Sequence, residues 1–315
     1  MTARPWSVKV CGMKRTKGRT GMILVTGATG TIGSEVFRRL VAAGERPRAL
    51  VRDPRIACAR LGDAVEHVVG DLDRPETLEA ALAGVDRVFL LTRQTSRQPQ
   101  QERNVIDAAV RSSVRQLVKL SVFRADERSP LQIARQHRQA ERALERSGLT
   151  YTIVRPVFLM QNLLGMLRGG ALHTAAGDGR VAMVDARDVA AVAVAALTSR
   201  GSHGKTHTLT GPEAVSFDEV AKILSRQTGT PTRHVRVGPD AVRNALERSG
   251  IEGWFAEDMA NLHGMLAAGY EHLVTDDVRT VTGTAPCTLA EFATDFAQQF
   301  GSNPQAAEAP DHTAA

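Results

Sequence analysis

Residues 23–36 read ILVTGATGTIGSEV, a short apolar run that leads into three glycines spaced three residues apart. The run Ile23–Thr26 predicts a buried β-strand, and the residues after the glycines have a helical pattern. In a turn of this kind Gly27 permits the tight bend, Gly30 lets a pyrophosphate approach the backbone, and Gly33 lets the helix pack closely on the strand. The free N–H groups at the helix start favour an anion. The stretch therefore predicts dinucleotide binding, through contacts from Gly27, Thr29, Gly30, Thr31, Ile32 and Gly33.

The end of the second predicted strand indicates which dinucleotide binds. An acid about 20 residues past the loop would bond the ribose hydroxyls of NAD. This chain instead has Arg52, whose guanidinium suits a 2′-phosphate. A charge-assisted contact of about 1.5–3 kcal/mol would give about a 10- to 100-fold preference. Asp53 would oppose it in part, although we expect Pro54 to turn that carboxylate away. The sequence thus predicts NADP(H) over NAD(H), the alternative being that Arg52 is an ordinary surface charge.

Alternating apolar runs and helical patterns predict the fold of residues 22–155. The run Val88–Leu91 is wholly apolar, as expected of a strand covered on both faces. Such alternation is typical of an α/β fold with a Rossmann-type doubly wound parallel sheet. After Arg155 the pattern loosens, with a predicted helix over Phe158–Leu167 and capped helix starts at Ser216 and Thr288. We expect residues 156–301 to form a smaller C-terminal α/β lobe that binds substrate, with some segments rejoining the sheet.

The positive charge of the chain is concentrated at its start. Residues 1–21 carry six basic residues and no acid, and removing these six from 40 Lys and Arg leaves 34, against 34 Asp and Glu. The rest of the chain is formally neutral, so no basic face for nucleic acid is expected. We predict that residues 1–21 are a disordered basic extension, or alternatively an arm for nucleic acid or membrane, and that residues 302–315 are a disordered tail.

Cysteine content and hydropathy limit the class of protein further. The three cysteines, Cys11, Cys58 and Cys287, are far apart and form no metal-binding or disulfide pattern. His203 and His207 have no acidic partners at metal spacing, so no metal is expected. No apolar run reaches the roughly 18 residues that a membrane span needs. A reducing cytoplasm is the simplest compartment for such a chain.

Several motifs resemble those of the NmrA-like group of atypical short-chain dehydrogenase/reductases, which includes the type-2 NAD(P)H:quinone oxidoreductases. They stand in the order of that family and span most of residues 22–300. They are VTGATGTIG at 25–33, ALVRDP at 49–54, GDL at 70–72, VFLLT at 88–92, KLSV at 119–122, HRQAERALERSGLTYTIVRPVFLMQN at 137–162, VDARDVAAV at 184–192 and HTLTGPEAVSFDEVAKILS at 207–225. The resemblance implies a Rossmann domain, a small C-terminal lobe and an active cleft between them.

The resemblance also implies where the cofactor lies. Asp71, at the end of the third predicted strand, either accepts a hydrogen bond from the adenine amino group or forms a turn, with Leu72 beside it. Ser121 matches the catalytic Ser of ordinary members, so it either bonds the substrate or nicotinamide ribose, or caps its strand. The remaining cofactor contacts implied by the family are Thr92, Arg93, Pro156, Val157 and Phe158.

The Tyr/Lys pair of ordinary short-chain dehydrogenases is absent. In those enzymes the two residues lie four apart on one helix, and the Lys lowers the Tyr pKa for proton transfer. Here Tyr151 is followed four residues later by Arg155 on a predicted strand, and Tyr270 by Val274. The matching helix offers His137 and Glu141, which share one face. This pair has three interpretations: catalytic proton transfer, contact with substrate or cofactor, or a surface ion pair.

The resemblance implies hydride transfer from NADPH to a quinone or conjugated carbonyl compound. Aromatic residues are only 4% of the chain, which predicts an apolar, aromatic-poor pocket wall for a small hydrophobic or aromatic carbonyl substrate. We expect Met160 and Asn162 to face this substrate, although a Met is more often core. The alternatives are a redox sensor of NmrA type that binds NADP(H) without turnover, and a tailoring reductase for an aromatic natural product. Homodimer formation stays open.

Overall fold

A parallel β-sheet forms the centre of the protein. The computed structural model describes residues 21–62, 65–199 and 204–301, so the predictions for residues 1–20 and 302–315 lie outside the described residues. The main sheet has seven parallel strands in the order β10-β6-β5-β4-β1-β2-β3. These strands are β1 Met22–Val25, β2 Pro47–Val51, β3 His67–Val69, β4 Val85–Leu90, β5 Gln116–Leu120, β6 Thr150–Pro156 and β10 Lys205–Leu209.

Helices cover both faces of this sheet, which confirms the predicted doubly wound α/β architecture. Phe89 of β4 packs into one hydrophobic cluster, whereas its neighbours Val88 and Leu90 pack into the cluster on the other face. This alternation explains why the part of β4 from Val88 to Leu90 is wholly apolar, since each of its faces is buried. The helices of this part are α1 Thr31–Ala42, α2 Pro54–Leu61, α3 Leu78–Ala81 after a 3-10 turn at Pro75–Thr77, α4 Gln98–Arg111, α5 Gln132–Glu145 and α7 Ala186–Thr198.

A smaller lobe lies beyond the carboxyl edge of the sheet and has its own core around Phe217 and Phe292. Two small sheets, β12-β8-β7 and β11-β9, belong to it. Both predicted capping boxes form, at Ser216 and at Thr288. The elements of the lobe are α6 Asn162–Met166, β7 Leu167–Arg168, β8 Ala171–Thr174, β9 Arg180–Val181, β11 Val215–Ser216, α8 Phe217–Thr228, β12 Arg233–Arg236, α9 Pro239–Arg248, α10 Gly253–Ala267, α12 Leu289–Asp295 and α13 Ala297–Gly301.

Three segments beyond residue 155 return to the main sheet, while the start of the lobe differs from the predicted helix. Strand β10 pairs with β6, helix α7 packs on α1, and helix α11 Asp277–Thr282 packs on α7 and β10. The helix predicted over Phe158–Leu167 is reduced to α6, because Val184 takes the backbone groups that a helix would need. Its N–H donates to the Phe158 carbonyl at 2.9 Å, and its carbonyl accepts from the Met160 N–H at 2.9 Å. The boundary at residue 155 stays a prediction.

Candidate cofactor site and active cleft

The glycine loop between β1 and α1 has the shape that the sequence predicts. Gly27 has φ of +60°, and a Cβ atom there would lie 2.9 Å from Leu91 Cγ. A Cβ atom on Gly33 would lie 2.0 Å from the Gly27 carbonyl oxygen, so only glycine permits this contact between helix and loop. No side chain caps the start of α1, where Gly30 is the N-cap and Thr31 the first residue. The helix start is therefore open to an anion such as a pyrophosphate.

The second strand places Arg52 in an exposed position at its end. Among the described residues, no acidic side chain pairs with this guanidinium within 4 Å. Asp53 does not oppose it, because its carboxylate accepts the Arg55 N–H at 2.9 Å and caps α2. Asp71 Oδ1 accepts the Asp73 N–H at 3.0 Å, as the turn alternative requires, and the contact of Asp71 with adenine stays a prediction. Arg52 is thus available to a ligand at the edge where β2 ends.

A group of buried polar side chains lies behind the predicted cofactor contact Thr92, and we call it the lysine network. The hydroxyl of Thr92 donates to Glu102 Oε1 at 2.9 Å. Lys119 Nζ lies 2.9 Å from Glu102 Oε2, with both side chains fully buried. The same ammonium lies 3.0 Å from His137 Nδ1, and Gln98 Nε2 lies 3.0 Å from His137 Nε2. The network thus connects the segment after β4 with α4, β5 and α5.

Sequence reasoning missed three members of this network, Gln98, Glu102 and Lys119. One signal was present, because Lys119 is a charged residue between Val118 and Leu120 in the middle of a predicted strand. A charge at such a position requires a buried partner. The partner itself, Glu102, comes from another element, and no local pattern identifies it.

The network corrects the interpretation of His137 as part of a surface ion pair. His137 is only 5% exposed and Glu141 is fully buried. Burial, together with the charges of Lys119 and Arg155, lowers the pKa of His137 well below its usual value. The imidazole is therefore neutral at neutral pH, and one of its ring nitrogens accepts a hydrogen bond from the Lys119 ammonium. A neutral ring in this position is poorly suited to donate a proton as an imidazolium.

Glu141 belongs to a second buried group and has different partners from His137. It accepts a 2.6 Å hydrogen bond from the Ser121 hydroxyl, and Arg155 and Arg138 pair with the same carboxylate. Burial alone would raise the pKa of Glu141, but the hydrogen bonds from Arg155 and Ser121 outweigh it and lower that pKa. Within the described part of the chain, His137 and Glu141 share no hydrogen bond. They lie on one helix face, as predicted, without forming a pair.

A cleft of about 490 Å³ opens beside this second group, at the carboxyl end of the sheet. Its walls come from the segment after β5, the end of β6 and the loop after α10. Six of its eight lining residues are polar or charged, and the apolar substrate wall stays a prediction; the lining residues are Arg124, Ala125, Asp126, Arg128, Ser129, Pro130, Arg155 and Tyr270. Tyr270, which has no Lys at the usual spacing, packs edge-on against Phe123 with ring centroids 5.7 Å apart.

The residues predicted beside the nicotinamide and the substrate lie at the junction with the lobe. Pro156, Val157 and Phe158 are buried, and Arg93 is half-buried. Met160 is 1% exposed and packs in the core of the lobe, whereas Asn162 is exposed at the start of α6. The structure thus favours the core interpretation of Met160 and leaves Asn162 accessible.

Glu271 also lies at this junction, and the sequence did not indicate it. Its side chain is almost fully buried, and Oε2 has no hydrogen-bond partner among the described residues. Burial raises the pKa of this carboxyl to about 7, although the Phe158 N–H and Arg124 oppose the shift. A large part of the Glu271 population is therefore protonated near neutral pH.

The described residues also bear on the expectations about membrane, metal and cysteine. None of the helices described here is long and apolar enough to cross a membrane. In the same residues, no group of three or more His, Cys, Asp and Glu could hold a metal ion. Cys58 and Cys287 are unpaired, whereas Cys11 and His203 lie outside the described ranges.

Comparison with known proteins adds three findings. Residues 27–200 match a protein family described as NAD(P)H-binding. The chain is 40% identical over 284 residues to an NAD(P)H azoreductase of Xenophilus azovorans, covering 89% of this chain and 99% of that protein. It is 45% identical over 284 residues to a (4-alkanoyl-5-oxo-2,5-dihydrofuran-3-yl)methyl phosphate reductase of Streptomyces griseus, with 89% of this chain and 99% of that protein covered.

The fold also matches a solved structure. A crystal structure of an NADPH-dependent quinone oxidoreductase from Escherichia coli, complexed with NADPH, superposes with a TM-score of 0.79. The two sequences are 28% identical, and the match covers 87% of this chain and 99% of the other.

Proposed function

Because the chain belongs to the NAD(P)H-binding family and is an NAD(P)H-dependent oxidoreductase, as the NmrA-like resemblance predicted, we propose that it transfers hydride from NADPH to a quinone or another conjugated acceptor. The single observation that carries this proposal is the open glycine cradle, with its uncapped helix start, beside a cleft at the same sheet edge. The relatives named above are reductases of an azo compound, an oxo-dihydrofuran and a quinone. All three are conjugated compounds that accept electrons.

Arg52 supports a preference for NADP(H). Its guanidinium is exposed at the end of β2, and Asp53 is held by Arg55 instead of opposing it. A planar guanidinium binds a phosphate through two parallel hydrogen bonds. The expected preference over NAD(H) is the 10- to 100-fold that one charge-assisted contact provides.

The protein contributes position more than acid–base chemistry to this reaction. Bound NADPH supplies the hydride, and the acceptor is already electrophilic. Holding the two reactants in contact therefore provides most of the rate gain. The Ser121 hydroxyl donates a hydrogen bond to the Glu141 carboxylate, so its oxygen is free to accept a hydrogen bond from a ribose hydroxyl. We assign Ser121 to the cofactor, and Glu141 and His137 to positioning, while water supplies the proton.

The direct test mixes the purified protein with NADPH or NADH and a neutral naphthoquinone, and follows the absorbance of the reduced nicotinamide. We expect turnover with both cofactors and a lower KM for NADPH. Tight NADPH binding without consumption for every acceptor tried would contradict the proposal and return the sensor alternative, which the reductase relatives do not favour. No binding of either cofactor would overturn both.

We also infer a reducing compartment, which is consistent with the unpaired Cys58 and Cys287, and assign the protein to the cytoplasm. A homodimer stays a prediction, which sedimentation of the purified chain tests directly.

A further inference from the structure

We propose that Arg124 binds an oxyanion group of the substrate, so that the preferred acceptors carry a phosphate, sulfonate or carboxylate beside the reducible system. This inference rests on the proposed function, because Arg124 lines the cleft where the acceptor would lie. It names a substrate class, anionic conjugated compounds, and the residue that selects it.

Arg124 differs from the other positive charges of the cleft, because it forms no ion pair within 4 Å among the residues that the structure describes. Arg155 pairs with the buried carboxylate of Glu141, and Arg128 lies 3.9 Å from Asp126. The charge of Arg124 acts on the buried Glu271 carboxyl, but no direct ion pair occupies the guanidinium. A guanidinium in a cleft without a directly paired carboxylate attracts anions and favours their binding.

The guanidinium of Arg124 also contacts two aromatic rings. Its Cζ lies 4.6 Å from the ring centroid of Tyr270 and 5.0 Å from that of Phe123. Such cation–π contacts attract the guanidinium to these rings and do not use its N–H donors. The planar guanidinium can therefore still donate to the two oxygens of an oxyanion.

The backbone of Arg124 shows that this position is constrained. Its φ of +49° is the one positive value among the non-glycine residues described by the structure. Residues other than glycine rarely adopt this backbone conformation, which persists only where the surrounding structure imposes it. Residues of this kind cluster at ligand-binding sites. Arg124 also lies three residues after Ser121, next to the predicted nicotinamide position. An anion bound here would hold the acceptor close to the hydride donor.

The test compares two acceptors that differ in one anionic group: a naphthoquinone, and the same naphthoquinone with a sulfonate on the ring remote from the carbonyls. For Arg124→Gln we expect kcat/KM to fall about tenfold to hundredfold with the sulfonate and by less than about threefold with the neutral compound. Arg124→Lys should restore part of the loss, since it keeps the charge and lacks the planar fork. Arg124→Gly suits the left-handed backbone, so it removes the side chain without straining the backbone and should show the same selective loss as Arg124→Gln.

The control variant is Arg111→Ala, which removes one positive charge from the end of α4, outside this cleft. It should change kcat/KM neither for the sulfonated nor for the neutral naphthoquinone. Equal losses for both acceptors would overturn the proposal, because they would indicate a structural role. A raised KM for NADPH with an unchanged acceptor preference would assign Arg124 to the cofactor instead.

A second measurement separates this proposal from the proposed function. If the wild-type protein reduces neither quinone, the proposed function fails, and calorimetric titration of naphthalene sulfonate in the presence of NADP⁺ still tests Arg124. Binding to the wild type and at least tenfold weaker binding to Arg124→Gln would support the anion site. Equal affinities, or no binding to either protein, would overturn it.

Discussion

Lys119 Nζ lies 2.9 Å from Glu102 Oε2, and neither side chain has any exposed surface. Breaking such a buried pair leaves one uncompensated charge, whereas replacing both partners by apolar residues is often neutral or stabilising. The pair also holds His137 from one side and Thr92 from the other. It therefore connects the interior of the protein with the predicted cofactor site.

The first prediction concerns the stability of this pair. We expect Lys119→Met to lower the free energy of unfolding by about 3–5 kcal/mol, because the Glu102 carboxylate stays buried without its partner. The double variant Lys119→Met/Glu102→Leu should be more stable than Lys119→Met alone. Urea unfolding of the four proteins of this cycle measures the coupling.

An exposed ion pair provides the control for this cycle. Arg115 lies 3.2 Å from Asp86, and its side chain is 76% exposed. Arg115→Ala should lower the free energy of unfolding by at most about 1 kcal/mol. Additive losses from Lys119→Met and Glu102→Leu would contradict the interpretation of the network as a coupled pair.

The second prediction concerns Glu271 and the dependence of stability on pH. The pKa of this carboxyl in the folded protein is about 7, above its ordinary value of 4.5. The folded state therefore binds the proton of Glu271 more tightly than the unfolded state does. The resulting contribution to the free energy of unfolding is fully present below pH 4.5 and is lost as the pH rises through 7. A shift of this size corresponds to about 3 kcal/mol. Glu271→Gln should remove this decline in the free energy of unfolding with rising pH.

Chemical unfolding at several pH values between 5 and 8 measures this effect. The exposed Glu213 is the matched control, and Glu213→Gln should keep the slope of the wild-type protein. If Glu271→Gln lost stability with pH as steeply as the wild type, another group would be responsible.

The third prediction concerns the choice of cofactor. Replacing Arg52 by Ala should lower the NADP(H)/NAD(H) affinity ratio by about 10- to 100-fold, because one charge-assisted contact to the 2′-phosphate is lost. Arg60→Ala, a change of equal charge in the last turn of α2, should leave the ratio unchanged. Fluorescence titration with each reduced cofactor gives the two affinities. An unchanged ratio in Arg52→Ala would mean that the residue is an ordinary surface charge.

The fourth prediction concerns the role of His137. Because the pKa of this imidazole lies well below 6.5, we expect kcat/KM to show no inflection from His137 between pH 6 and 8. His137→Gln should retain activity within about tenfold, which is less than the 100-fold or more expected on loss of a general acid. The pH profiles of the wild type and the variant provide the measurement. A wild-type inflection near pH 6.5 that disappears in His137→Gln would restore the proton-donor hypothesis.

Local sequence patterns were sufficient for much of the fold. The β1–loop–α1 unit is encoded within residues 23–36, where a buried strand, a turn that requires glycine and a helix start follow one another directly. The capping boxes at Ser216 and Thr288 are equally local, since each joins side chains three residues apart. The run Val88–Leu91 contains no polar residue, which predicted a strand that is covered on both faces. In these cases the interacting groups are neighbours along the chain, so the sequence by itself determined the result.

Only the tertiary structure decided the partners of the buried charges and the character of the cleft. His137 and Glu141 share a helix face, yet each forms hydrogen bonds with residues of other elements. No local sequence pattern shows that those residues lie within hydrogen-bond distance. Arg124 and Tyr270 are far apart along the chain and meet only because the lobe closes over the carboxyl edge of the sheet. Burial, which sets the pKa of His137 and Glu271, is likewise a property of the packed molecule and not of a local motif.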